Sequence, residues 1–439
     1  MAEKTSNKER DEKEIIPVIL AGLDYGNSDD FEHSIEEMKS LIEACDMKAI
    51  LTVTQRLAHP DPGSYLGTGK AREISELAEN HGAQYIIFED NLSPAQLKNL
   101  QNIMNVDVWD RTTLILEIFS RRAKTIEARL QVESAYLKYM LPRLTGMWQH
   151  LGRQGGGGGS GAASNRGIGE TQIELDRRQI KKRITELDRE LQKIGKTRTT
   201  QKAGRKKSNI PLVSLVGYTN AGKSTIMNSM LAQDGRDEEK KVFEENMLFA
   251  TLDTSIRHIE MDNNKDFLLS DTVGFIENLP HELIKAFGST LEEAKGADLI
   301  LIVLDASDPY HRMHKKVTED TLRNLDAANI PRIYVMNKAD LIDDRSYELP
   351  HILDDTIWIS AKSGVGIPEL KNLITEKIYD GNKLLEFLIP YSKGDMNDLL
   401  HRKAGIVEEE YKENGVRIVA DVSKELQGIL KEFVIEKED

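Results

Sequence analysis

The chain reads as α/β, organised as four consecutive bodies. These are a small N-terminal parallel α/β domain over 1–110, a long antiparallel helical hairpin over 111–207, a P-loop domain with a doubly wound sheet over 208–380, and a small C-terminal α+β domain over 381–439. Three observations predict this. Short apolar runs alternate with helical patterns before residue 110, as in a parallel sheet whose crossovers are helices. Two long segments with three–four apolar spacing follow, separated by one glycine-rich stretch. An apolar strand then runs into Gly217-Tyr-Thr-Asn-Ala-Gly-Lys-Ser224, a G-x-x-x-x-G-K-S pattern in the strand–loop–helix setting it needs.

Composition bounds the reading. At 439 residues, 39% hydrophobic and 30% charged, the chain has ample core material for several globular domains. Its start, "MAEKTSNKERDEKEII", lacks the apolar centre of a secretory signal, and no apolar run approaches the ~20 residues that cross a bilayer. A single cysteine, Cys45, forms no intrachain disulfide, which fits a reducing cytoplasm; it sits in an apolar helical stripe and reads as core filler. The formal charge of −14 taken alone argues against a nucleic-acid partner. Yet residues 119–207 carry 21 Lys/Arg against 8 Asp/Glu, a net of +13, while the remainder nets −27. One basic element in an acidic protein implies a single polyanion-facing segment.

In the first domain, "IIPVILAGL", "KAILTVTQRL", "AQYIIFED" and "VDVW" read as strands. Phe31, Ile35, Met38, Leu41, Ile42 and Cys45 mark an amphipathic helix, and "SPAQLKNLQNIM" another, with Ser93 as N-cap and Pro94 in the first helical position. "GSYLGTGKAREI" has glycines and a lysine but lacks the spacing and hydroxyl of a phosphate loop; it reads as a turn capping a helix.

A long helical pattern runs from Asp110 to about Leu144, and a second begins near Gly169, where Ile173, Ile180, Ile184, Leu187, Leu191 and Ile194 follow a heptad rhythm. Joined by one loop, they predict a hairpin with residues 151–170 at its tip. Nine of the eighteen positions from Gly152 to Gly169 are glycine. That composition alone reads as a flexible spacer, but a spacer separates domains and this one caps a hairpin. The placement favours an arm inserted into folded RNA, with Arg143, Arg153, Arg166, Arg177 and Arg178 on phosphates and Trp148 and His150 stacking on bases.

In the P-loop, Gly217 to Thr225 (Tyr218, Thr219, Asn220, Ala221, Gly222, Lys223 and Ser224 between) should wrap phosphates with backbone N–H groups at a helix N-terminus. Lys223 is expected on the β- and γ-phosphates and Ser224 on Mg²⁺. After the strand "DFLLS", Asp271-Thr272-Val273-Gly274 provides the second magnesium-linked carboxylate and, at Gly274, an N–H for the γ-phosphate. Asn337-Lys338-Ala339-Asp340 follows another strand. Asp340 can accept both adjacent donors of guanine, Lys338 packs on the base and Asn337 ties its loop to the P-loop, while the Ser360-Ala361-Lys362 backbone reads guanine O6. Together these imply a guanine-nucleotide pocket. Asn220 either helps hold K⁺ against the phosphates or is a loop-stabilising amide. In the switch I region, Thr251 and Thr254 compete for the remaining Mg²⁺ position. Phe275 stands where many such enzymes place a water-orienting glutamine, so slow unaided hydrolysis is expected.

The chain resembles the HflX-type GTPases, ribosome-associated members of the Obg-HflX group of translation-factor-related GTPases. "YLGTGKAREI", "IFEDNLSPAQLKNL", "VDVWDRTTLILEIFSRRAKTIEARLQVESAYLKYMLPRL", "RGIGETQIELDRR", "GYTNAGKST", "LFATLD", "SDTVGFI" and "NKAD" fall in family order. The family usually has proline where this chain has Thr254 and Ile168, and proline would stiffen each of those two turns. The resemblance selects Thr251, within Phe249-Ala250-Thr251-Leu252-Asp253, as the Mg²⁺ ligand, and with Lys223 and Gly274 as catalytic. It implies a factor that binds the large (50S) ribosomal subunit with GTP, reaches rRNA near the peptidyl-transferase region, and splits stalled or idle 70S ribosomes, a role tied to stress. A GTP-controlled assembly factor and a non-catalytic GTP-sensing RNA-binding module are the competing readings. Some relatives confer antibiotic tolerance. An N-terminal ATPase has been proposed for the family, but no second phosphate loop is found here. The last ~60 residues show strand–helix–strand–strand–helix patterning, with "NGV" as a hairpin turn. That acidic domain either contacts a basic ribosomal protein or caps the fold.

Overall fold

The computed structural model describes residues 15–26, 28–144, 164–208, 210–233, 249, 255–261, 265–272, 274–276, 293–342 and 348–435, with backbone alone at 28–29, 164–173, 197–208, 233, 402–403 and 424–425. The described residues fall into two compact units, one built on the chain up to Gln192 together with Phe249, the other on the rest of the chain from Lys193 onward.

The first unit has a four-stranded, wholly parallel sheet of β1 (Ile16–Asp24), β2 (Met47–Arg56), β3 (Tyr85–Phe88) and β4 (Asp107–Trp109), in the order β2-β1-β3-β4. Helices on both faces leave β1 almost continuously buried, which is why it reads as an apolar run and not an alternation. α1 (Ser28–Glu43), α2 (Thr68–His81) and α3 (Pro94–Ile103) are the crossovers. Gly67, at φ +82°, starts α2, so "GTGKAREI" is a helix-capping turn. Ser93 and Gln96 close a reciprocal capping box on α3, with Pro94 in the first position.

The long helix expected from Asp110 to Leu144 is two helices, α4 (Arg111–Arg122) and α5 (Ile126–Met140). Asp110, fully buried, caps α4 by accepting from the Thr113 N–H at 2.9 Å and also accepts from the Leu92 N–H at 3.2 Å. The break lies at Ala123–Thr125, where the Thr125 hydroxyl caps α5 by accepting from the Ala128 N–H at 3.1 Å. A new N-cap satisfies donors that a broken helix would orphan, so the chain can turn there at little loss. α6 runs from Ser164 to Ser208, starting earlier than expected and passing through Gly167 and Gly169. Its Arg183 grips Glu133 of α5 with two bonds of 2.7 and 2.9 Å, and Lys138 meets Asp188 at 2.9 Å. Leu187 of the heptad stripe is fully buried.

The second unit centres on a seven-stranded sheet ordered β10-β11-β9-β8-β5-β7-β6, comprising β5 (Leu212–Gly217), β6 (Ser255–Ile259), β7 (Phe267–Asp271), β8 (Leu299–Asp305), β9 (Arg332–Asn337), β10 (His351–Leu353) and β11 (Thr356–Trp358). Its centre is parallel; β6 and β10 are antiparallel edges. Strand order reverses between β5 and β8, the crevice where doubly wound folds bind ligands. α7 (Lys223–Gln233), α8 (His311–Asn324) and α9 (Ile367–Ile378) are helices of this domain, and one core joins the sheet to α7 and α9 through Ile226, Met230, Leu370 and Ile374. Beyond it, β12 (Lys383–Ile389), β13 (Gly405–Lys412) and β14 (Gly415–Val422) form an antiparallel sheet ordered β12-β14-β13, with α10 (Gly394–Lys403) and α11 (Lys424–Ile429). The β13–β14 hairpin turns at Glu413–Asn414, where the sequence places it. No helix among the described residues is long and apolar enough to cross a membrane.

Candidate functional site

Four of the sequence-predicted segments converge at the C-terminal edge of the second unit's sheet, each emerging from a different strand: the P-loop from β5, Thr272 and Gly274 from β7, Lys338–Asp340 from β9 and Ser360–Lys362 from β11. The P-loop glycines are dictated by close approach. A Cβ on Gly217, at φ +151°, would lie 2.2 Å from the Val303 carbonyl oxygen, and one on Gly222, at φ +92°, 2.2 Å from Asn337 Nδ2. Asn220 occupies the left-handed region at φ +59°, which asparagine tolerates better than most side chains.

Lys223 is buried, and its Nζ donates to the carbonyls of Gly217 at 3.1 Å and Tyr218 at 2.8 Å. Burial pulls its pKa down to about 8, with Asp271 acting in the opposite sense. Ser224 Oγ donates to Asp271 Oδ2 at 2.6 Å, and Asp271 is wholly buried at the end of β7. A hydroxyl and a carboxylate so paired offer hard oxygens of the kind Mg²⁺ takes, one directly and one through water. Thr272 is held by its hydroxyl, which donates to the Leu215 carbonyl at 2.7 Å. Thr225 is partly buried in the first turn of α7.

Segment 274–276 is fastened to the P-loop. The Phe275 N–H donates to Gly217 O at 3.0 Å, and the Thr219 N–H donates to Phe275 O at 2.8 Å. A Cβ on Gly274 would lie 2.8 Å from both Cα and Cγ2 of Thr219 and 3.1 Å from Lys223 Nζ, so glycine alone fits. Phe275 is 1% exposed.

On the base side, Asn337 Nδ2 donates to Ala221 O at 2.9 Å and its Oδ1 accepts from the Ala361 N–H at 3.0 Å, binding both loops. Lys338 sits at φ +58° with its ammonium 2.8 Å from Asp305, Ala339 is buried, and Asp340 is exposed. The Ser360 N–H donates to Val365 O at 3.0 Å, closing the loop that carries exposed Lys362. Three contributors carry no sequence signal. Ser229 of α7 donates to Ala361 O at 2.5 Å, Asp305 pairs Lys338, and His314 of α8 stacks on Tyr218 at 3.8 Å between centroids. Each is separated from its partner by 33 to 132 residues and belongs to no motif. Only a hydroxyl at the inner turn of α7 and a histidine amid a polar helix face could have hinted at two of them.

Val273 and switch I residues Ala250, Thr251, Leu252 and Asp253 lie outside the described residues, as do Trp148, His150 and Arg153; Arg166 is described in backbone only. Phe249 is described, at φ +56° and buried, with its ring edge-on to Phe119 at 4.7 Å. Arg143 departs from expectation. Its guanidinium donates to the carbonyls of Tyr139 and Leu92 at 3.0 Å each and stacks 3.5 Å over the Tyr139 ring. It is spent inside the first unit and is unavailable to RNA phosphates. Arg177 and Arg178 are exposed on α6.

A P-loop at a strand reversal, with a lysine, a hydroxyl–carboxylate pair and two base-side loops, defines a P-loop GTPase. Models of a 50S ribosome-binding GTPase match residues 212–338, of a GTP-binding GTPase N-terminal region 32–120, and of a GTP-binding GTPase middle region 122–205. The chain belongs to the HflX GTPase family. It is 40% identical to the GTPase HflX of Caldanaerobacter subterraneus subsp. tengcongensis, over 93% of this chain and 92% of that one. It is 38% identical to the GTPase HflX of Escherichia coli K12, over 90% and 91%. It is also 39% identical to that of Lacrimispora saccharolytica, over 97% of each.

Proposed function

We propose that this GTPase engages the 50S subunit when GTP is bound and separates stalled or idle 70S ribosomes into subunits, acting in the cytoplasm. The observation that carries the nucleotide dependence is the fastening of Gly274 and Phe275 onto Thr219 beside Lys223. In this reading the terminal phosphate seats between Gly274 and Lys223, where the packing leaves no room for a Cβ, so GTP must part the segment from the P-loop where GDP need not. Binding energy for the third phosphate is thereby converted into movement of the chain after β7. The match of the G domain to a 50S ribosome-binding GTPase model and the basic 119–207 segment support this choice of partner.

In this reading Lys223 neutralises the β- and γ-phosphates, the Gly274 N–H meets the γ-phosphate, and Asp340 with the 360–362 backbone selects guanine. Ser224, Thr251 and Asp271 would hold Mg²⁺, which would neutralise charge developing on the phosphate oxygens. Asn220 either helps hold K⁺ against the phosphates or serves as a loop-stabilising amide at φ +59°. Arg153, Arg166, Arg177 and Arg178 are proposed on rRNA near the peptidyl-transferase region.

Density gradients of 70S particles mixed with this protein and a non-hydrolysable GTP analogue test the proposal. Conversion of 70S to free subunits, absent with GDP, is expected. An unchanged 70S fraction with retained binding to free 50S subunits would point instead to GTP-controlled assembly. Single-turnover hydrolysis should also accelerate on adding 50S subunits, and equal rates would remove the stimulation from this account.

A further inference from the structure

Hydrolysis needs a group that aims water at the γ-phosphorus, and Phe275 cannot supply it. A side chain 1% exposed and without a polar atom neither donates to nor accepts from water. One polar group beside it has no evident structural task. Thr219 is 7% exposed, and its hydroxyl has no hydrogen-bond partner among the described residues. Buried hydroxyls are nearly always partnered, so an orphan in a phosphate loop calls for an explanation. Thr219 lies at the right place: its Cα and Cγ2 pack against Gly274, and Lys223 Nζ stands on the same side of that glycine. Methyl and hydroxyl share one Cβ, so a single χ1 rotation puts Oγ1 where Cγ2 now faces Gly274.

We propose that the Thr219 hydroxyl is the water-orienting group of this GTPase, standing in for the side chain that Phe275 lacks. With GTP seated, Oγ1 accepts a hydrogen bond from the nucleophilic water, turning a lone pair toward the γ-phosphorus. The water oxygen bonds to phosphorus as the bond to the β-phosphate oxygen breaks. Both water protons leave with inorganic phosphate or solvent, and Thr219 ends as it began.

The test is intrinsic single-turnover GTP hydrolysis, without ribosomes, by Thr219→Val and Thr219→Ser, alongside fluorescent GDP affinity. The isosteric valine should slow hydrolysis about ten- to a hundredfold, a typical loss for one preorganised polar contact, with GDP affinity within about twofold. Serine should keep the rate within about threefold, since it retains the hydroxyl. Wild-type turnover by Thr219→Val, or equal losses in both variants, would overturn the assignment. If the valine variant fails to bind GDP, Thr219→Ala replaces it: a loss in alanine but not serine supports the role, and equal rates refute it. None of these outcomes depends on ribosome splitting, because the measurement contains no ribosomes.

Discussion

At the scale of single residues, Lys223 makes nucleotide binding sensitive to pH. In the free protein its pKa is down at about 8, and phosphates will hold the ammonium charged well above that. Affinity is therefore nearly full at pH 7, about halved at pH 8 and falls further above it, because binding then requires proton uptake. Fluorescent GDP should bind about fourfold more weakly at pH 8.5 than at pH 7 by this linkage, and a flat profile would show Lys223 charged throughout. Gly222 sets a steric limit. An alanine there combines φ +92° with a Cβ 2.2 Å from Asn337 Nδ2. Gly222→Ala should weaken GTP and GDP alike, by about ten- to a hundredfold from strain of ~1–3 kcal/mol, as titration against both nucleotides will show. Arg143 carries the contrary lesson. Position beside a basic loop suggested RNA, while its aromatic and carbonyl neighbours, one of them distant in sequence, keep it inside.

At the scale of elements, the buried pair of Arg111 at the head of α4 and Glu37 on α1 joins two helices, with both residues under a tenth exposed. Removing one partner strands a charge, so Glu37→Ala should cost about 3–5 kcal/mol of stability in the first unit, read from chemical denaturation. Strand β1 was legible because a strand covered on both faces reads as an apolar run, and α3 because its capping box and proline are local signals. The break between α4 and α5 was missed for the opposite reason. Apolar spacing continues across Ala123–Thr125, and only Thr125 followed by Ile126 and Glu127 marks a new start. The nucleotide motifs were readable since each is contiguous and follows a strand. Ser229, Asp305 and His314 were not, because their partners are assembled by the fold.

At the scale of the whole molecule, charge asymmetry is what the proposed function uses for encounter with the ribosome. Residues 119–207 carry a net +13 in a chain of −14, and Arg177 and Arg178 lie exposed within them. Reversing both, Arg177→Glu with Arg178→Glu, should weaken GTP-dependent binding to 50S subunits. It should also flatten its salt dependence, by just under about one in log–log slope for each phosphate left without its arginine. Cosedimentation across a potassium chloride series measures both, and an unchanged slope would place the RNA-binding residues elsewhere. Guanine selection has a different architecture. Ser229 and Asn337 pin Ala361 from opposite sides, and both anchors trace back to the P-loop and the helix it opens. A disturbance at either end of the nucleotide is thus felt at the other. Under the proposed function, spent GDP leaves a pocket whose base-side and phosphate-side loops are bonded to one another, so loosening one loosens the other.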